Sequence, residues 1–126
     1  MAFIECNNNP LQKKVGDCVI RSIAAAMYED WDRIFIDIML EGYNLKDVPT
    51  ANYVWGSYLM RNGFRRRTIP NTCPNCYSIR QFCEEHPQGT FILATGTHAV
   101  CVRDGDYLDT WDSGDEVPVY YFEKEA

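Results

Sequence analysis

The sequence predicts an α+β domain in which helices come first and an antiparallel sheet follows. Apolar residues recur at helical spacing in the first half of the chain, whereas the second half holds β-branched and aromatic runs. Helices followed by successive strands are typical of the α+β class. The 126 residues, 46% of them hydrophobic, are enough for one core, so we expect a single domain over residues 1–126.

Two helices are predicted near the start of the chain, each after an aspartate that can accept hydrogen bonds from a helix N-terminus. Asp17 precedes apolar residues at helical spacing, namely Val19, Ile20, Ile23, Ala24 and Met27. Asp30 precedes a second set, Trp31, Ile34, Phe35 and Ile38. We expect the second helix to stop near Gly42, since glycine favours helix ends.

Two further helices are predicted before the sheet. Thr50 can cap a third helix that ends near Gly63, and its apolar face carries Val54, Tyr58 and Leu59. A short fourth helix is predicted over residues 78–85, before a proline that cannot continue it.

Three runs in the second half predict strands: TFILAT, HAVCVRDGDYLDTW and VPVYYF. The middle run contains Asp104-Gly105, which favours a tight hairpin turn. With the turn at that dipeptide, Val102 faces Tyr107. Since side chains alternate along a strand, His98 then shares a face with Asp109.

The charge and the cysteines limit the class of protein. The net charge of −6 argues against nucleic acid as a partner, and the basic run at residues 65–67 is interpreted as a solvated strand or loop face. No apolar run is long enough to span a membrane, and the N-terminus lacks the pattern of a signal peptide. Six cysteines in such a chain indicate reduced thiols, so we expect a cytoplasmic protein without membrane contact.

Cys18 is the candidate nucleophile, because it directly follows the expected helix cap Asp17. A thiolate is the reactive form of cysteine, and a helix N-terminus lowers the pKa of a thiol. The alternative is that Cys18 is a small buried residue of the core.

A catalytic cysteine needs a base and a group that orients the base. Of the two histidines, His98 opens a strand, whereas His86 stands at a helix end before a proline. Asp109 lies diagonal to His98 on one face of the hairpin, close enough for a hydrogen bond. Asp112 points to the other face unless the strand bends, which makes it the alternative orienting residue.

These residues resemble the pattern of the papain-like cysteine peptidases. In that family His-Ala-Val opens one strand and Asn-Ser-Trp-Gly closes a later one, and this chain has THAVCV followed by YLDTWDSG. The family's orienting residue falls on Asp109. Its oxyanion-binding glutamine, six residues before the nucleophile, falls on Gln12. The order Gln, Cys, His, Asp is similar also to small bacterial peptidase domains that trim double-glycine leaders.

The resemblance covers residues 12–27 and 96–114 and implies a papain-like fold with the nucleophile on the first helix. It implies that Cys18, His98 and Asp109 form a triad, with Gln12 and the Cys18 backbone N–H binding the oxyanion. The reaction would be hydrolysis of a peptide or isopeptide bond in a peptide or protein, without a cofactor. The chain departs from the papain pattern because Val19 follows the nucleophile where the family has Trp, and because it is about half as long as a papain domain.

Two other functions fit the same residues. A transglutaminase-type acyl transferase uses the same Cys-His-Asp chemistry. A papain-like binding module without activity is the other, since a fold does not guarantee catalysis.

The run CPNCYSIRQFCEEH is a competing motif for a structural zinc ion. Its potential ligands are Cys73, Cys76, Cys83 and His86. The six residues between the second and third cysteine form a short loop for a zinc finger. We therefore expect the protein to hold no metal.

Overall fold

The structure, a computed structural model, describes residues 2–125 and contains four helices beside one six-stranded sheet. The helices are α1 (Cys18–Met27), α2 (Trp31–Leu45), α3 (Asn52–Arg61) and α4 (Ile79–Glu85). The predicted α+β class is confirmed. No helix within the described range has the length and apolar character needed to cross a membrane.

The six strands are β1 (Phe3–Glu5), β2 (Phe64–Thr68), β3 (Thr90–Ala94), β4 (Ala99–Arg103), β5 (Asp106–Asp109) and β6 (Tyr120–Lys124). Their spatial order is β1-β5-β4-β3-β6-β2. The sheet is not purely antiparallel, because β1 pairs with β5 in parallel. A three-residue strand near the N-terminus carries too little periodicity to be found from the sequence.

The β4–β5 hairpin has the expected turn and register. Asp104 and Gly105 both have positive φ, 51° and 81°, as this class of tight turn requires. Val102 pairs with Tyr107, which confirms the predicted alignment. His98 therefore directly precedes β4 at the end of the hairpin where β5 finishes with Asp109.

The ends of α2 and α3 differ from the sequence expectations. α2 passes Gly42 and ends only at Leu45, followed by Lys46 with a φ of 57°. Gly42 lies inside the helix, where a Cβ would come within 2.8 Å of the Asp47 carbonyl oxygen, so this close approach and not a helix end requires a glycine. The cap position of α3 is Ala51 and not Thr50.

The side chains at the N-termini of α2 and α4 differ in whether they cap the helix. Asp30 stands at the cap position of α2, but its side chain makes no capping hydrogen bond. Ser78, predicted as the first residue of the fourth helix, instead caps α4, and its hydroxyl oxygen accepts from the Gln81 backbone N–H. The Gln81 side chain accepts from the Ser78 N–H in return, which completes a capping box.

The sheet has a core on each face. One core packs α1, α2 and α3 against alternate strand residues, including Ile92, Ala94, Ala99 and Cys101. The other packs α4 against the residues between them, including Phe91, Leu93, Val100 and Val102. Since both faces are covered, β3 is apolar over residues 91–94 and β4 over residues 99–102.

The basic run 65–67 forms part of β2 at the edge of the sheet. Arg65 Nε lies 3.0 Å from Glu125 Oε1, and Arg67 Nε lies 2.7 Å from Glu123 Oε1 on the neighbouring strand. Of the two interpretations, a solvated strand or a loop, the run is therefore an exposed strand, and acidic residues partly balance its charge.

Candidate active site

Cys18 is the first residue of α1 and lines a cleft between the helices and the β3–β4 turn. Its neighbour Asp17 stands at the cap position, but its side chain makes no capping hydrogen bond, contrary to expectation. The Asp17 carboxylate instead accepts from Arg21 Nε at 2.8 Å, Trp31 Nε1 at 3.0 Å and Asn9 Nδ2 at 3.2 Å. The first backbone N–H groups of α1, that of Cys18 among them, have no acceptor within the helix.

His98 is placed by the tight connection between β3 and β4. Gly96 has a φ of 112°, which a residue with a side chain rarely adopts, and the Thr95 N–H donates to the His98 carbonyl at 2.9 Å. The His98 Nε2–H donates to Asp109 Oδ2 at 2.6 Å. Because Nε2 is occupied by Asp109, Nδ1 is the ring nitrogen left to interact with the Cys18 thiol, which raises the pKa of His98.

Asp109, at the end of β5, is 1% exposed. Its Oδ2 accepts from His98 and from the Ser113 hydroxyl, the latter at 2.7 Å. Its Oδ1 accepts from the Thr110 N–H at 2.8 Å and from Arg21 Nη1 at 3.3 Å. Four donors therefore surround this carboxylate and fix its orientation.

Asp112 does not contact His98. Its Oδ1 accepts from the Tyr107 hydroxyl at 2.5 Å and from the Gly114 N–H at 3.1 Å, and Arg80 lies 3.4 Å away. The carboxylate beside His98 is that of Asp109, as the hairpin register predicts.

The pKa values of the three groups follow from burial and hydrogen bonding. Burial raises the pKa of Cys18, but hydrogen bonds from His98 and the Ala99 N–H outweigh it, so the thiol pKa is lowered. Burial opposes the charged form of His98, yet its bonds to Asp109 and Cys18 raise its pKa to about 9. The pKa of Asp109 is lowered because its bonds to His98 and Ser113 outweigh its burial. All three shifts favour a thiolate–imidazolium pair beside a carboxylate.

Trp111 lies over the imidazole of His98, with ring centroids 5.2 Å apart. It shields one side of the ring but remains 46% exposed. Trp111 is outside β5, which ends at Asp109, so a loop and not strand alternation sets its position.

Gln12, expected to donate to the oxyanion, is not among the residues that line the cleft beside Cys18. Its side-chain amide donates to the carbonyl oxygens of Asn7 at 2.8 Å and Asn9 at 3.1 Å. Gln12 itself is exposed and has a φ of 56°, within a turn that its N–H closes onto the Asn9 carbonyl. Both amide hydrogens hold this loop together, so neither is directed at the cleft.

The cleft beside Cys18 has a volume of about 740 Å³. Most of its wall is apolar and comes from α2, α3 and β6, with Trp31, Phe35, Ile38, Met39, Trp55 and Tyr120. Lys13 supplies a positive charge at its rim. Its size and character suit an extended chain with a bulky apolar side chain.

The four potential zinc ligands are not assembled. Cys83, a residue of α4, is 1% exposed in the core, where burial raises the pKa of its thiol to about 11. His86 Nδ1 lies 2.8 Å from the Phe82 carbonyl oxygen, whereas Cys73 and Cys76 are exposed in a loop. Across residues 2–125, no three His, Cys, Asp or Glu side chains are grouped to hold a metal ion.

Three residues around the site were missed from the sequence: Arg21, Trp31 and Ser113. A signal for Arg21 existed, since it stands four residues after Asp17 on a helix, the spacing of an ion pair. Trp31 was assigned only to an apolar helix face, and nothing in the pattern indicated that its indole N–H reaches Asp17. Ser113 reaches Asp109 because of the path that the loop takes after β5. The sequence of that loop has no helical or strand spacing from which its path could be predicted.

Comparisons of this chain with protein-family models, curated proteins and solved structures found no match. The functional argument therefore depends on the geometry of the site and on the sequence patterns alone.

Proposed function

We propose that the protein is a papain-like cysteine peptidase or a related amide hydrolase that cleaves a peptide or isopeptide bond in a peptide or protein. One observation carries the proposal: Cys18 and His98 line the same cleft and each shifts the pKa of the other toward its charged form, while His98 Nε2 lies 2.6 Å from the buried carboxylate of Asp109. A nucleophile, a base and an orienting group in contact are the signature of covalent acyl-transfer catalysis.

In the first half of the reaction, the Cys18 thiolate attacks the carbonyl carbon of the scissile bond. The Cys18 backbone N–H, free in the first turn of α1, donates to the oxygen that becomes negative. As the C–N bond breaks, the imidazolium of His98 transfers its proton to the leaving amine. The products of this half are a free amine and a thioester on Cys18.

In the second half, neutral His98 takes a proton from water, whose oxygen attacks the thioester carbon. Collapse of this adduct releases a carboxylic acid and restores the thiolate–imidazolium pair. Asp109 stays charged throughout, holds the tautomer of His98 and stabilises its cationic form. No cofactor is needed for either half.

The placement of the cleft supports a chain-like substrate. Cys18 and His98 lie at one part of its wall, and the apolar surface of Trp31, Phe35 and Trp55 continues beyond them. A substrate that extends across this surface buries apolar area and holds its carbonyl group near the thiol.

Incubation with a mixed peptide library, followed by mass spectrometry, tests the proposal. We expect the wild type to cleave peptides through an acyl-enzyme on Cys18, and Cys18→Ala to be inactive with an unchanged melting temperature. Cys73→Ala, which removes an exposed thiol outside the cleft, is the matched control and should retain activity. Absence of both cleavage and acyl-enzyme in the wild type would contradict the proposal.

The same assay with an added primary amine separates hydrolysis from acyl transfer. A hydrolase releases the carboxylic acid product even at a high amine concentration. Predominant amide product, formed from the amine and the acyl group, would instead identify a transglutaminase-type transferase.

A further inference from the structure

Arg21 is a buried arginine on α1, one turn after Cys18. Its Nε donates to Asp17 Oδ1 at 2.8 Å, and its Nη1 donates to Asp109 Oδ1 at 3.3 Å. One guanidinium thus joins the start of the helix that carries the thiol to the end of the strand that carries the carboxylate.

We propose that Arg21 is a positioning residue that sets the orientation of the Asp109 carboxylate, and through it the orientation of His98 toward the Cys18 thiol. This inference rests on the function proposed above. Arg21 touches neither the substrate nor the reacting atoms in this role.

The hydrogen bonds of Asp109 support this role. Arg21 and the Thr110 N–H both donate to Oδ1, which leaves Oδ2 for His98 and the Ser113 hydroxyl. Without Arg21, a single backbone N–H would hold Oδ1. The carboxylate could then rotate away from the 2.6 Å contact with His98.

The other end of the guanidinium is fixed by Asp17. That carboxylate is itself held by the Trp31 indole and the Asn9 amide, so it forms a rigid base for Arg21. A planar guanidinium can donate in two fixed directions at once, which a lysine ammonium on a flexible stem cannot reproduce.

A purely structural role of Arg21 would give a different experimental result. Arg21 also balances two buried carboxylates, so its complete removal would destabilise the fold whether or not it orients Asp109. Arg21→Lys keeps the positive charge and loses the planar fork, and it therefore separates orientation from charge balance.

The test compares wild type with Arg21→Lys by NMR titration of the histidine rings and by kcat and KM for a cleaved peptide. We expect the pKa of His98 to fall by about 1, because its bond to Asp109 weakens while the charge nearby is kept. We expect kcat to fall roughly 10- to 100-fold with KM nearly unchanged, as for a loss of alignment. His86, remote from Arg21, is the internal reference, and Arg33→Lys on the exposed face of α2 is the control variant.

A lower melting temperature of Arg21→Lys with an unchanged His98 titration and unchanged kcat would overturn the proposal. Should Arg21→Lys not fold, Asp17→Asn removes the charge that holds the other end of the guanidinium. We expect a smaller fall in the pKa of His98 and in kcat from that variant, and no change in either would equally overturn the proposal.

These experiments distinguish a failure of the proposed enzymatic function from a failure of the positioning role of Arg21. If the wild type cleaves no amide but the His98 titration still shifts in Arg21→Lys, the enzymatic function is wrong and the positioning role stands. If the wild type is active and Arg21→Lys matches it in titration and kcat, the positioning role is wrong and the function stands.

Discussion

The Nε2 of His98 lies 2.6 Å from Oδ2 of Asp109, where β4 begins and β5 ends. His98 directly precedes β4 and Asp109 ends the antiparallel strand β5 of the same short hairpin, so the turn at Asp104-Gly105 fixes their alignment. The first turn of α1 places Cys18 in the same cleft as His98, where its thiol raises the pKa of the imidazole. This arrangement leads to four predictions beyond the experiments described above.

Limited alkylation with iodoacetamide at pH 6 should label Cys18 before the other cysteines. The lowered pKa of Cys18 keeps part of it as thiolate at a pH where ordinary thiols are protonated. Peptide mapping measures the rates, and the exposed Cys73 and Cys76 serve as reference thiols. His98→Ala should remove the preference, and labelling of Cys18 no faster than of Cys73 in the wild type would argue against an ion pair.

Asp109→Asn should lower kcat by roughly 100-fold or more, because the amide no longer stabilises the imidazolium or fixes its tautomer. The matched variant Asp112→Asn changes an exposed carboxylate without a contact to His98, so its activity should stay near that of the wild type. Steady-state kinetics on one peptide decides the comparison, and a larger effect at Asp112 would exclude Asp109 as the orienting residue.

The pH dependence of kcat/KM should have an alkaline limb at about 9, the pKa of His98. His98 must hold a proton to deliver it to the leaving amine, so activity falls as the pH rises through that pKa. Removing the Asp109 carboxylate takes away a group that favours the cation. The alkaline limb of the Asp109→Asn variant should therefore move to lower pH. If it stays at the same pH as in the wild type, a group other than His98 causes the limb.

Gln12→Ala should change kcat by less than about 3-fold, since no donor to the oxyanion is lost from a side chain bonded to Asn7 and Asn9. Loss of a true oxyanion donor costs roughly 100-fold or more in kcat. Kinetics of the variant and its melting temperature separate a loop effect from a catalytic one. A 100-fold fall in kcat with an unchanged melting temperature would show that Gln12 does donate to the oxyanion.

The sequence by itself determined the elements on which the site is built. The change from helical to strand spacing predicted the α+β class, and Asp104-Gly105 predicted the hairpin register because a tight turn fixes which residues pair. Side-chain alternation then favoured Asp109 over Asp112 as the neighbour of His98. These are local properties, set by residues a few positions apart.

Only the tertiary structure decided which polar groups the site contains. Asp17 was predicted to cap α1, but Arg21, Trp31 and Asn9 draw its carboxylate away. Gln12 has the spacing of an oxyanion donor, yet its amide finds acceptors within its own loop. A polar side chain bonds to whichever partners packing brings within reach, and spacing along the chain does not specify those partners.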